Sequence, residues 1–358
     1  MKRRKFLKSL GGSFVATSIF ASNSLRSAQK AEYNWKMVTS WPKNFPGLGV
    51  GAENLAKIIN KLSNNRIQIR VFGANELVPP LEVFDYVSNG GAELGHSGAY
   101  YWKGKSEACQ FFSSVPFGMN AQEMNAWLYY GGGLELWSKL YSKFNLVPRP
   151  AGNTGVQMGG WFNKLIEKTS DLKGLKMRIP GLGGEVLSRA GGVPITLAGA
   201  EIFTALQTGT IDATEWVGPY NDRAFGLHKA AKYYYYPGWH EPGPTIECMI
   251  NKDAYNSLPD DLKFIVDMGC KAANIDMLAD YTSKNNKALK FLSSKKIIIK
   301  EFPAEILDSL REISIEVLKE IGSTDKITKE VYLSYIKFQE EVTPWTKLSE
   351  KSYINSRD

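Results

Sequence analysis

The chain has 358 residues, 43% of them hydrophobic and 12% aromatic, which is enough for one large or two medium domains around a sizeable core. Its formal net charge of +8 suggests at first a nucleic-acid or anionic-membrane partner. All but one unit of that excess falls in residues 1–31, which hold Lys2, Arg3, Arg4, Lys5, Lys8, Arg26 and Lys30 and no acid. The nearly neutral remainder argues against nucleic acid.

Residues 1–31 read as an export signal. Lys2-Arg3-Arg4-Lys5-Phe6-Leu7-Lys8 is a twin-arginine start, and Ser9 to Ala21 is a short run rich in Gly, Ser and Ala. The run is too short and too polar to span a membrane. The pattern resembles the Tat signal, an address for export of folded proteins to the periplasm. An ordinary Sec signal with an accidental Arg pair is the alternative. Cleavage is expected near residues 29–32.

Asn34–Ser40 reads as a strand and Gly47–Leu62 as a helix, with Leu48, Leu55, Ile58, Ile59 and Leu62 at helical spacing. Arg66–Phe72 alternates polar and apolar, as a half-buried strand does. Pro79-Pro80 breaks the chain before a short helix, Leu81–Ser88, and a buried strand, Ala92–His96. This β-α-β-α-β order implies a mostly parallel sheet covered by helices. Residues 97–150 are rich in aromatics and read as core under helices. Tyr100-Tyr101-Trp102 follows directly on a strand end, where ligands are commonly met.

Val156–Asn163 reads as a strand. Then the order repeats: strand Lys176–Ile179, helix Gly184–Ala190, strand Pro194–Thr196, helix Gly199–Gln207, a Gly209 stop and strand Ile211–Thr214. The two units resemble each other in detail. Leu81–Val87 followed by Gly90, Ala92 and Glu93 matches Ala200–Leu206 followed by Gly209, Ile211 and Asp212. Strands are expected at 232–237 and 246–251, a long helix at 258–292, a strand at 296–302, amphipathic helices at 303–321 and 327–342, and a polar tail from Leu348.

Cys109, Cys248 and Cys270 form no disulfide framework and no zinc pattern, so they read as buried thiols. His96, His228 and His240 are too scattered for a metal cluster. There is no Walker loop, G-x-S-x-G or H-E-x-x-H motif. In open α/β sheets ligands lie beyond the carboxyl ends of strands. His96, Ser97, Gln157, Arg178, Glu215 and Trp216 end strands here, and Glu241 lies in a loop just past one. Arg178 is the sharpest of them, because a guanidinium forks onto a carboxylate and Pro180-Gly181 ends its strand abruptly. Gln157, Glu215 and Glu241 supply oxygens suited to a hard cation. Trp216 can add its carbonyl to the ion and its indole as a wall.

The leader, Lys176-Met177-Arg178-Ile179-Pro180-Gly181, Ala205–Ala213 and Glu215-Trp216-Val217-Gly218-Pro219 together resemble the solute-binding proteins of TRAP transporters, the DctP family. The resemblance spans essentially the whole mature chain. It implies an α/β, two-lobe periplasmic-binding-protein-like fold with mixed sheets, a ligand cleft between the lobes and a long back helix. Lobe 1 would be mainly 32–155 and lobe 2 mainly 156–250, with the helices and strand of 251–358 packing on both. The run Tyr235–Glu241, with Gln157 and Glu215-Trp216, looks like the branch that binds 2-oxo or 2-hydroxy monocarboxylates with a metal cation. In that branch Gln157, Glu215 and the Trp216 carbonyl would hold Na⁺ or Ca²⁺, and Arg178 would hold the ligand carboxylate. Glu241 would be a further contact to ion or ligand. From their strand-end and loop positions, and not from the resemblance, His96, Ser97 and Tyr101 are also expected to contact the ligand. No organic cofactor is implied. The partners implied are the small carboxylate, the membrane permease subunits and, in some members, a second copy through a C-terminal helix. Rival readings are an exported enzyme acting on a small acid, or a ligand-sensing partner of a membrane receptor.

Overall fold

The computed structural model describes residues 31–357. The export-signal reading of 1–31 therefore lies, but for Ala31, outside the described residues. Among the described residues no helix is long and apolar enough to cross a membrane.

The first unit runs β1 (Tyr33–Thr39), α1 (Leu48–Leu62), β2 (Ile67–Phe72), α2 (Val83–Ser88), β3 (Leu94–Ser97). On β2 the residues Ile67, Ile69 and Val71 are buried, and Gln68 and Arg70 between them are exposed, so alternation sets the core face. α1 turns Leu48, Ala52, Leu55, Ala56 and Ile59 inward. β1 lies between β2 and β3, parallel to both. After α3 (Ala121–Tyr130) and α4 (Gly133–Tyr141) comes β4 (Leu146–Asn153), which the aromatic stretch had not announced. It is an edge strand of the first sheet, where Pro148 and Pro150 are tolerated.

The second unit repeats the plan. β5 (Gly160–Phe162) is shorter than expected, and Gln157 precedes it in irregular chain. Then follow β6 (Lys176–Arg178), α5 (Gly181–Arg189), β7 (Val193–Ile195), α6 (Gly199–Gln207) and β8 (Ala213–Thr214). β6 lies between β7 and β8, parallel to both. The correspondence extends to single atoms. Gly90 and Gly209 follow α2 and α6 with φ of 78° and 73°, a left-handed stop that glycine adopts freely. The Glu93 carboxylate accepts the Lys36 N–H of β1 at 2.7 Å, and the Asp212 carboxylate accepts the Lys176 N–H of β6 at 3.1 Å.

Next come α7 (Pro219–Phe225), β9 (Tyr233–Tyr236) and β10 (Thr245–Asn251). β9 joins the second sheet, but β10 crosses back and pairs antiparallel between β3 and β4. So residues 245–250, within the stretch assigned to the second half, belong to the first sheet. α8 (Lys252–Asn256) precedes the long helix α9 (Asp260–Ser293). α9 buries Val266, Cys270 and Ala273 with the first sheet, and Met277, Tyr281 and Leu292 in the core shared with the second. β11 (Ile298–Glu301) pairs with β9, and α10 (Ala304–Ile321) and α11 (Lys326–Thr346) follow. The segment expected as a polar tail is helical, ending in α12 (Ser352–Arg357). The result is two mixed sheets, ordered β2-β1-β3-β10-β4 and β11-β9-β5-β8-β6-β7, with α9 across both. Cys109, Cys248 and Cys270 are buried and free.

Candidate ligand and ion site

Neighbouring parallel strands carry the centre of the site. Arg178 ends β6 opposite Thr214 of β8, and the Glu215 N–H donates to the Arg178 carbonyl at 3.1 Å. This register sets the two side chains together. Arg178 Nη1 donates to Glu215 Oε1, Nη2 to the Tyr101 hydroxyl at 3.0 Å, and Nε to the Leu197 carbonyl at 3.2 Å. The guanidinium also stands 5.0 Å from the centre of the Trp216 ring. Arg178 and Glu215 are each 1% exposed, so the pair interacts in a dry place, where charge attraction is strong. Burial opposes the Arg178 charge. Glu215 and the tyrosine oxygens more than offset that and hold the guanidinium above its ordinary range.

Gln157 lies beside this pair. Its Nε2 donates to Glu241 Oε2 at 2.7 Å and to Thr154 Oγ1 at 3.2 Å. An amide nitrogen must face a carboxylate acceptor, so Gln157 Oε1 is turned away and has no protein partner. Glu215 Oε2 and His240 Nε2 face each other at 3.5 Å without a hydrogen bond, and His240 Nδ1 and the Trp216 indole nitrogen are likewise buried without a partner. Buried polar atoms are almost always paired, so such orphans together mark a place built for something else. Glu215, His240 and Glu241 offer ligand atoms all within 4.8 Å of one another. Burial and then the Glu215 charge push the Glu241 carboxyl well above the usual range, against the pull of Arg178 and Gln157.

The wall comes from the first unit. Trp41, just past β1, meets Trp216 edge to face at 6.3 Å and Tyr101 at 6.3 Å. Tyr100 stacks edge-on against Tyr101 at 4.6 Å. Further out, Lys103 pairs with Glu185 of α5 at 2.5 Å, with both side chains partly exposed.

The structure thus gathers Gln157, Arg178, Glu215, Trp216, Glu241 and Tyr101. His96 and Ser97 make their side-chain hydrogen bonds within the first unit, and His96 Nε2 is buried without a partner. His96 Nδ1 accepts the Trp41 indole N–H at 2.9 Å, and Ser97 Oγ pairs with Ser40 Oγ at 2.6 Å. Burial lowers the His96 pKa to about 4. His240 was missed from sequence. Its one signal was adjacency to Glu241, and histidine spacing along the chain hides a residue gathered by folding.

The DctP family, described as bacterial extracellular solute-binding protein, family 7, matches residues 37–325. The chain belongs to this family. It is 45% identical, over 99% of its length and 98% of the relative's, to the monocarboxylate 2-oxoacid-binding periplasmic protein of a Nostoc species. A TRAP periplasmic solute-binding protein of Pseudoalteromonas atlantica, solved with bound sodium and pyruvate, is 44% identical over 90% of this chain and 99% of that one, with TM-score 0.88. One from Bordetella bronchiseptica, a mixed-occupancy dimer with calcium and picolinate in one active site, is 39% identical over 91% and 97%, with TM-score 0.90. The family is one of solute-binding receptors, and both solved relatives share the two-sheet α/β fold.

Proposed function

We propose that this chain is the periplasmic receptor of a TRAP transporter, binding a small 2-oxo or 2-hydroxy monocarboxylate such as pyruvate or lactate together with Na⁺ or Ca²⁺. The observation that carries this reading is the buried Arg178–Glu215 pair beside the unpartnered oxygens Glu215 Oε2 and Gln157 Oε1. Two hard oxygens suit a hard cation, and a permanent guanidinium fork suits a carboxylate. Gln157, Glu215 and the Trp216 carbonyl hold the ion, and Arg178 with Tyr101 holds the acid. Glu241 fixes the Gln157 amide. The bound cation neutralises carboxylate charge and draws the ligand's oxygens. No bond is made or broken, and the ligand shifts the molecule toward its closed form for delivery to the permease.

Calorimetry across a panel of small carboxylates, with Na⁺ and Ca²⁺ varied, tests the reading. One-to-one binding of unchanged pyruvate or lactate is expected, whereas accumulation of a product would replace it with an exported enzyme. Glu215→Gln is expected to weaken binding by about tenfold or more, a loss of about 1.4 kcal/mol. Binding that is unchanged by that substitution, and by chelation with sodium removal, rejects the ion.

Export follows the twin-arginine leader, and conversion of Arg3 and Arg4 to Lys is expected to leave the precursor inside the cell. The C-terminal helices expose Trp345, Leu348 and Tyr353, a stripe suited to a second copy. Light scattering is expected to find dimers that deletion of 347–358 dissociates.

A further inference from the structure

Residues 223–232 and 281–300 together hold nine lysines and arginines and no aspartate or glutamate. Beyond residue 31 the chain is almost neutral, so the rest of the molecule is net acidic. We infer that these two segments form one positively charged face that docks on anionic lipid headgroups and holds the receptor at the membrane surface. This goes beyond the proposed function, since it concerns where the receptor rests and not what its cleft binds.

The segments meet around Phe291 of α9. The Arg223 guanidinium, from α7, stands 3.9 Å from the centre of the Phe291 ring, Lys295 Nζ 4.3 Å from it and the His228 ring 5.6 Å. Lys284, Lys287 and Phe291 follow at spacings of three and four, so they share one side of α9. The Lys232 carbonyl accepts the Ile298 N–H at 2.9 Å, which sets Lys232 beside the chain that leaves α9. Lys284 pairs with Asp280 at 2.7 Å and Lys300 with Glu167 at 3.3 Å. The other seven cations are exposed and, among the described residues, have no acidic partner. Burial and then the charges of Lys229, Lys295 and Arg223 lower the His228 pKa, and no acid opposes them. Like charges so spaced repel, and a face made only for solvation mixes both signs.

The composition of the face points to lipid and not to protein. Eight of the nine cations are lysines. Lysine is depleted from protein–protein interfaces, where arginine and aromatic side chains are enriched. Its compact, hydrated charge on a flexible stem suits a fluid layer of phosphate headgroups, which asks for charge density and not for a fixed pattern of hydrogen bonds. The net-acidic remainder is repelled by the same layer, so the separation of charge turns this face toward it.

Co-sedimentation with vesicles tests the inference, using the chain from residue 32 onward, because the seven cations of the leader would bind the same lipids. In about 20 mM salt, affinity for phosphatidylcholine vesicles carrying about 30% phosphatidylglycerol is expected to exceed that for pure phosphatidylcholine by about tenfold or more, and to vanish near about 500 mM salt. Lys287→Glu/Lys290→Glu/Lys295→Glu is expected to lower affinity for the anionic vesicles by about a hundredfold while pyruvate binding is unchanged. Lys57→Glu/Lys61→Glu/Arg70→Glu, which shifts the net charge equally but on the first unit, is expected to lower it by about threefold at most. Equal losses in the two variants, or equal affinity for charged and uncharged vesicles, overturn the inference. So does an absence of binding to anionic vesicles at low salt, which would leave the face to an acidic protein. Should the glutamate variant fail to fold, Lys287→Gln/Lys290→Gln/Lys295→Gln is judged by the same outcomes. A chain that binds anionic vesicles but no small acid removes the proposed function and keeps this face, whereas pyruvate binding without vesicle binding does the reverse.

Discussion

The two β-α-β-α-β units share their scaffold down to the glycine stop and the acid that accepts the N–H of the central strand, but they end differently. At the ends of β1 and β3, Trp41 donates to His96, a neutral pair. At the corresponding ends of β6 and β8, Arg178 donates to Glu215, a charged pair. A second parallel lies deeper. Glu247 of β10 accepts the Trp102 indole at 2.5 Å and the Tyr141 hydroxyl at 2.8 Å. Asp222 of α7 accepts the Trp161 indole at 2.9 Å and the Tyr234 hydroxyl at 2.6 Å. The same construction therefore yields a neutral aromatic pair on one side and a buried charged pair on the other. Chemistry is concentrated where like strands end in unlike side chains.

Breaking the charged pair is expected to have the largest effect. Arg178→Ala leaves Glu215 buried and alone, which costs about 3–5 kcal/mol of stability. Acid binding is expected to fall by more than about a hundredfold. Adding Glu215→Gln to Arg178→Ala should restore the melting temperature without restoring binding. Undiminished acid affinity in Arg178→Ala would remove that residue from the site.

The deep carboxyls come next. Burial pushes both Glu247 and Asp222 up to about 7, against the hydrogen bonds they accept. Unfolded carboxyls titrate near 4, so between about pH 4 and 7 the folded chain binds more protons than the unfolded one. Stability contributed by these groups is therefore lost as pH rises through that window. Glu247→Gln and Asp222→Asn should each flatten the decline by on the order of a few kcal/mol. Chemical denaturation at a series of pH values reads this out, and an unchanged slope in one variant would end the parallel between the two halves. The smallest effect is expected at the rim. Lys103→Ala removes an exposed contact between the halves worth about 0–1 kcal/mol, so ligand affinity should change by a few-fold at most, and less in high salt.

Most of the fold was legible because periodicity and glycine stops are local signals. α6 spans Gly199–Gln207, as its spacing predicts. β4 was hidden at the end of a stretch whose aromatics read as core under helices, and only edge position, a tertiary fact, makes its Pro148 and Pro150 acceptable. The end of the chain looked polar, but its helix follows from continuation of α11 through 347–351. Arg178 and Glu215 were legible as strand ends. His240 was not, since its meaning depends on Glu215, which is distant in sequence. His96 ended a strand just as Arg178 does, but its Nδ1 accepts the Trp41 indole N–H and only its Nε2 is left without a partner. A position at a strand end says where a side chain begins and leaves open which neighbour claims it.

The edge-to-face meeting of Trp41 and Trp216 has an optical consequence. Each indole belongs to a different half of the molecule, and one of them also faces the Arg178 guanidinium. On the opening and closing proposed above, the two rings would part and Trp216 would move toward water, so intrinsic fluorescence is expected to follow closure without any attached dye.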